Sequence, residues 1–416
     1  MTDPARGEGF RTLMRNGASI AIAIGVMNVA TYGFTMVAAR LLGPREYGAF
    51  ASLMATLLVF SVLQLGLQAT AARRIAAEPE HVGDIEHSIL RVTYRASLVL
   101  GALAVLAAPL VDLVLRLDNL LAAVLVGIAV VPSSIMGGQA GILQGERRWA
   151  PLAAVYLAAG VPRLLVGTAI IFWSPTATSA ILGVTIGAFA PVVVGWVALR
   201  NRRARGTTTE HGGRAVIRES LHNSQALLAF FTLSNVDVVI ARNVLPDHQA
   251  GLYAAGLIMI KAVLFLPQFV VIVAFPSMSS AAERLHAVTR SLVVVAVLGA
   301  LATAAAWLFS GIAMVFVGGA DYAEIESQLW VFAMIGTLLA MLQLLVYSVL
   351  ARQGQRSVYA VWLALALMVG AGLTTSSLTG LLTVVLGVDT LLMALLLGVS
   401  LAILRRPAPV PETVAP

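Results

Sequence analysis

The sequence contains no cysteine. That excludes a disulfide framework and every thiolate-bound metal or cluster. Charge is scarce too. Asp, Glu, Lys and Arg make up 11% of the 416 residues, against roughly a quarter in soluble domains. With 59% apolar residues and a mean hydropathy of +0.91, the chain does not describe a water-soluble globule. Lysine is nearly missing: Lys261 is the only one, so the net charge of +7 rests on arginine. The histidines (His81, His87, His211, His222, His248 and His286) are scattered, with no pair at the spacing of a helical metal site. There is no Walker-type phosphate loop, so no ATPase is encoded here. No large loop hosts a catalytic carboxylate cluster; Asp321, Glu324 and Glu326 are the nearest approach. Neither cofactor nor metal is expected, and the basic balance of such a chain points to membrane topology rather than nucleic acid.

What fills the chain is long apolar runs. Each membrane-spanning helix needs about 20 apolar residues, and the runs place helices near 17–41, 47–71, 91–115, 120–144, 150–173, 177–199, 220–242, 249–275, 290–317, 327–350, 357–377 and 380–404. The break between the last two, Thr374–Gly380, is the weakest. The N-terminal MTDPARGEGFRTLMRNG runs into the first span without a clear cleavage site, and so reads as a tail before an uncleaved helix.

Arginine placement sets the orientation. With the N-terminus inside, the inner loops hold 21 arginines, including Arg73, Arg74, Arg147, Arg148, Arg200, Arg202, Arg203 and Arg205. The outer edges hold only Arg40, Arg45, Arg116 and Arg242. The positive-inside rule then puts both termini in the cytoplasm. The expected architecture is all-α: a polytopic membrane protein of about twelve transmembrane helices in two six-helix lobes around a central cavity. Residues 1–16 form an N-terminal tail, 17–199 the first lobe, 200–219 a basic cytoplasmic linker, 220–404 the second lobe and 405–416 a disordered, proline-rich tail. The linker's charge run is chiefly a solvated positive loop, with anionic lipid headgroups as the other reading.

The stretch Ala39–Arg74 organises the first lobe: an apolar run, a Gly43–Pro44 break, Tyr47–Gly48, a second apolar run and a basic stop. A reduced copy returns in the second half. Ala39-Arg40-Leu41-Leu42-Gly43-Pro44 is echoed by Ala241-Arg242-Asn243-Val244-Leu245-Pro246, and Gly48-Ala49-Phe50-Ala51 by Gly251-Leu252-Tyr253-Ala254. Gly145-Glu146-Arg147 is echoed by Gly354-Gln355-Arg356. A repeat of six helices, an even number, leaves the lobes in the same orientation, related by an axis along the membrane normal.

ARLLGPREYGAF, Leu65–Leu67, GILQGERR at Gly141–Arg148, NVDVVIAR…AGLYAAG over Asn235–Gly256 and AFPSMS at Ala274–Ser279 resemble, in order, the polysaccharide-biosynthesis flippases of the multidrug/oligosaccharidyl-lipid/polysaccharide exporter superfamily. The resemblance implies two lobes around a central cavity, alternating access, and outward transport of undecaprenyl-pyrophosphate-linked sugars. A single lysine departs from the family, which usually has more, and twelve helices depart from its fourteen-helix peptidoglycan-precursor type. The Gly-Pro-x-x-Tyr-Gly turn departs from the drug-exporting branch.

An ionisable residue in mid-membrane costs roughly 2.5–3.5 kcal/mol and is a functional candidate by default. Arg163 lies mid-helix, sharing a face with Tyr156, Gly160 and Gly167. Lys261 shares a face with Phe265 and Gln268, and Asp237 lies in the outer half of the seventh helix beside Asn235. Guanidinium and ammonium groups suit a pyrophosphate, so Arg163 and Lys261 are its expected grips, one from each lobe. The alternative for Lys261 is an ion pair with Asp237. Arg40 and Arg242 occupy repeat-equivalent outer ends; snorkelling to the interface is the common use of such residues and ligand contact the rarer one. Asn28 with Tyr32 and Thr35, and Gln64 and Gln68 with Ser61, form polar stripes that either line a wet cavity or bond between helices. Gly137, Gly141 and Gly145 read as packing.

With the substrate that the resemblance implies, the expected function is that of a flippase of the cytoplasmic membrane that carries polyprenyl-pyrophosphate-linked oligosaccharide for cell-surface polysaccharide export, and that is not an enzyme. Expected partners are the lipid-linked sugar, membrane lipids and a surface-polysaccharide assembly machinery, around a monomer. A drug antiporter of the same superfamily and a membrane-embedded glycan polymerase are the alternatives.

Overall fold

Apolar runs cut by Gly, Pro and short polar loops fold into helices throughout the residues described by a computed structural model, 4–200, 213–264, 284–350 and 355–404. In chain order these are α1 (Pro4–Phe60), α2 (Val62–Ala77), α3 (Val82–Leu106), α4 (Ala108–Leu115), α5 (Leu120–Gly145), α6 (Trp149–Trp173) and α7 (Ala177–Leu199). The second half holds α8 (Gly213–Val244), α9 (Asp247–Leu264), α10 (Arg284–Leu308), α11 (Ser310–Val317), α12 (Leu329–Leu350), α13 (Gln355–Gly372) and α14 (Leu378–Leu404). A 3-10 segment, Ala320–Gln328, joins α11 to α12.

Nine helical segments among the described residues are long and apolar enough to cross a bilayer. The first, Ser19–Ala77, is two passes. Gly43 breaks it at φ 68°, ψ 172°, a conformation reserved almost entirely for glycine, and Pro44 then restarts the helix, where its missing N–H is harmless. The shorter Asp247–Leu264 and Val358–Gly372 complete the expected twelve passes. A band of exposed side chains including Leu106, Phe172, Trp173 and Trp307 faces outward. Such a surface aggregates in water but matches hydrocarbon, where helices alone keep every backbone group bonded.

The helices differ from expectation at their breaks. The second pass is interrupted at Ser61, the third begins at Val82 rather than near 91 and breaks at Ala107 before Pro109, and the ninth breaks at Phe309. Thr374–Gly380 does contain a true loop, between Gly372 and Leu378. α1 starts at Pro4 and α8 at Gly213, so helix extends into both the expected N-terminal tail and the end of the expected linker. Residues 201–212, 405–416, Phe265, Pro267, Gln268, Pro276 and Ala274–Ser279 lie outside the described residues.

α1–α7 form one lobe and α8–α14 the other. In the first, α6 packs on α1 and α7, while α5 packs on α2, α3 and α7. In the second, α12 packs on α9, α10 and α14, and α13 on α8. The largest buried cluster joins the lobes at the end of the bundle that carries Gly43, where Phe34, Tyr47 and Phe50 share a core with Tyr253, Tyr322 and Phe332. The repeat-related glycines meet there: a Cβ on Gly48 would stand 2.9 Å from the Cα of Gly251.

Candidate functional site

α6 is drawn tightly against its neighbours by small residues. Gly160 lies on the backbone of Met27 in α1, Gly167 on the ring of Phe34, and Gly183 and Gly187 of α7 on the backbones of Gly167 and Arg163. Arg163 is therefore fixed within a packed helix pair. Its Nε is buried with no hydrogen-bond partner, and among the described residues it forms no ion pair. The residue as a whole is half-buried, and a charge left without a countercharge inside a membrane bundle is a cost that packing does not require.

The second lobe holds a denser group. Asp237 on α8 is buried; its Oδ2 accepts from the Tyr253 hydroxyl at 2.8 Å and its Oδ1 from the Val238 N–H at 2.9 Å. Asp389 on α14 is equally buried, and its Oδ1 has no partner. It lies near enough to interact electrostatically with both Asp237 and Tyr253. Two carboxylates held together away from water repel each other unless a proton or cation is shared between them. Lys261, two turns beyond Tyr253 on α9, feels the charge of Asp237. No ion pair forms between them, however; the tyrosine hydroxyl is what satisfies Asp237. Asn235 stays outside the group, donating to Phe231 O and to Ser234 Oγ. Sequence reading misses Asp389 and Tyr253, although an acid inside the apolar run of α14 is a signal of the same kind as Asp237.

The remaining candidates divide by what they touch. Gln68 Nε2 donates to Gln144 Oε1 at 3.0 Å and to the Tyr156 hydroxyl at 2.9 Å, tying α2 to α5 and α6. Gln64 reaches the sulfur of Met136 at 3.8 Å. Asn28 is half-buried and engaged, and Thr35 donates back to Thr31 O. The snorkelling reading fails for Arg242, which is 5% exposed. It donates to Leu115 O and Arg116 O, both at 3.0 Å, and pairs with Asp247 at 3.1 Å. Its repeat equivalent Arg40 is exposed and makes one long bond, 3.5 Å, to Val315 O. Gln268 lies outside the described residues. Among the described residues no group of three or more His, Asp or Glu side chains is set to hold a metal ion.

The sequence profile of the family described as "Polysaccharide biosynthesis protein" matches residues 13–282. No curated protein matches the chain. Among solved structures, the chain is similar to a multidrug resistance transporter of the MATE family, MOP superfamily, in its inward-facing conformation. The TM-score is 0.74 at 12% identity, covering 94% of this chain and 100% of that one. It is also similar to the lipid II flippase MurJ in an inward closed conformation, with a TM-score of 0.72, 12% identity, and 92% and 87% of the two chains covered. A MOP superfamily transporter from Pyrococcus furiosus matches at a TM-score of 0.64 and 13% identity over 95% and 96%. At such identities the likeness is one of fold: two lobes of membrane-spanning helices.

Proposed function

Since the chain belongs to the polysaccharide biosynthesis protein family and spans the membrane many times, we propose that it is a flippase for a lipid-linked oligosaccharide. It moves a polyprenyl-pyrophosphate-linked sugar from the inner to the outer leaflet of the cytoplasmic membrane by alternating access. The two lobes, 17–199 and 220–404, rock about each other, and both termini and the 200–219 linker face the cytoplasm, as the arginine bias requires. The Gly43 end of the bundle is then the outer end. The observation that carries this reading is a pair of cations, Arg163 in one lobe and Lys261 in the other, neither of them ion-paired among the described residues. A diphosphate supplies the missing countercharge, with bidentate acceptors for the guanidinium and a compact negative group for the ammonium.

Asp237, Tyr253 and Asp389 supply the coupling. A proton or cation shared by the two acids in one conformation and released in the other would tie an ion gradient to the lobe movement. This acid pair is also what a small-molecule antiporter would need. That second reading differs in assigning Arg163 no task. The test is delivery of glycan to the cell surface in cells that depend on this protein. Arg163→Ala and Lys261→Ala are each expected to abolish it, with protein inserted at the wild-type level. Full delivery by both variants would take the diphosphate grip away from these two residues, and undiminished delivery in cells that lack the protein would leave the antiporter.

A further inference from the structure

The outer seam between the lobes is built in an unusual way: side chains of one lobe cap open helix ends of the other. The last four carbonyls of a helix lack backbone donors, and the negative end of the helix dipole lies there. α4 ends at Leu115 with Arg116 at φ 48°. Its final carbonyls are taken by the second lobe, Leu115 O and Arg116 O by Arg242 and Val114 O by the Asn243 amide at 2.8 Å. α1 is cut at Gly43, and Ala39 O in its last turn accepts from the Tyr322 hydroxyl at 2.8 Å. In the other direction Arg40 reaches Val315 O near the end of α11. α11 is the repeat copy of α4. Both are eight residues long, follow a helix break and end at a positive-φ residue, 202 positions apart. The exchange is therefore reciprocal, Arg242 onto α4 and Arg40 onto α11, but unequal. Arg242 is buried with three partners, whereas Arg40 is exposed with one.

We propose that this seam is the outer gate, and that Arg242 is its latch. The latch holds the C-terminal carbonyls of α4 together with Asp247, which also pairs with Arg45 of the first lobe at 3.5 Å. Polar caps of this kind, at the edge of the apolar cluster that joins the lobes, suit a gate, because water can take over each bond when the lobes part. A polar cavity of about 300 Å³, lined by Arg45, Glu46, Asn119, Thr176 and Arg242 among others, lies beside the latch and gives that water a place to enter. Opening outward then requires Arg242 to leave α4. Asp247 stays on its side of the gate with Arg242, and its bond to Arg45 breaks. The inequality of the two exchanged caps makes the second lobe's arginine the one that decides when the gate parts.

The chain has no cysteine of its own, so spin labels can be placed at Pro175→Cys and Ser376→Cys. These positions are exposed, sit in loops of opposite lobes and replace none of the residues of the latch, Pro175 preceding Thr176 at the rim of the cavity. Double electron–electron resonance without substrate should give a narrow distribution for the otherwise unaltered protein. Arg242→Ala should add a longer-distance population. Arg242→Lys, which keeps the charge for Asp247 but not the fork onto two carbonyls, should add a smaller one. If Arg242→Ala does not fold, Asp247→Asn should show the same displacement to a lesser degree. Distributions in the folded variants that superimpose on the unaltered protein would overturn the latch. Because no lipid is present, that result would leave the diphosphate reading standing, and failure of glycan delivery would not touch the latch.

Discussion

Arg163 carries a charge into a face made of Gly160, Gly167, Gly183 and Gly187, where backbone meets backbone and, among the described residues, no acid pairs with it. Nothing in the packing of α6 needs that charge. Arg163→Leu should therefore leave thermal stability in detergent unchanged or raised, while glycan delivery falls to background. A fall in both together would mark the guanidinium as structural. Tyr253→Phe should behave in the opposite way. It strips Asp237 of its hydroxyl donor and should cost about 1–3 kcal/mol, read as a lower unfolding midpoint. Arg163, Lys261 and Asp237 are legible in the sequence because each interrupts an apolar run. Their partners are not legible. Whether Lys261 meets Asp237 depends on helices α8, α9 and α14 being brought together, and Tyr253 takes the bond that an ion-pair reading assigns to lysine. Arg242 was equally opaque, since its burial comes from the end of α4, far away in the chain.

At the scale of helices, α5 lies against α2 through one row of glycines. A Cβ on Gly141 would run into Gln68 O, and one on Gly137 into Gln64 O. Gly141→Val should force the helices apart and lower stability by at least about 1–3 kcal/mol, as thermal unfolding followed by tryptophan fluorescence would show. Because the same helix separation would strain the Gln68–Gln144 and Gln68–Tyr156 bonds, the loss should exceed that of Gly25→Val, where the added Cβ meets nothing within 4 Å. The packing role of Gly137, Gly141 and Gly145 follows from their four-residue spacing alone. The breaks at Ser61 and Phe309 do not announce themselves in the same way, because one small polar residue hardly changes the hydropathy of the run around it, whereas Pro109 marks the one at Ala107.

For the whole molecule, hydropathy and repeat spacing are enough to foresee two lobes of membrane helices, since lipid permits little besides complete helices. What they leave open is how the lobes touch. In the structure the repeat-equivalent turns meet at Gly48 and Gly251, and the seam around them is capped by polar groups from the opposite lobe. Half-buried cations in both lobes, neither of them ion-paired among the described residues, form the arrangement that the proposed carrier of an anionic headgroup needs. The most direct measurement is leaflet exchange in proteoliposomes of a fluorescent polyprenyl-diphosphate saccharide, beside the same saccharide on a lipid lacking phosphate. The account predicts that the protein moves the diphosphate lipid, that it leaves the neutral one in place, and that Arg163→Gln with Lys261→Gln stops the movement. Equal movement of both lipids, or undiminished movement by the double variant, would contradict it.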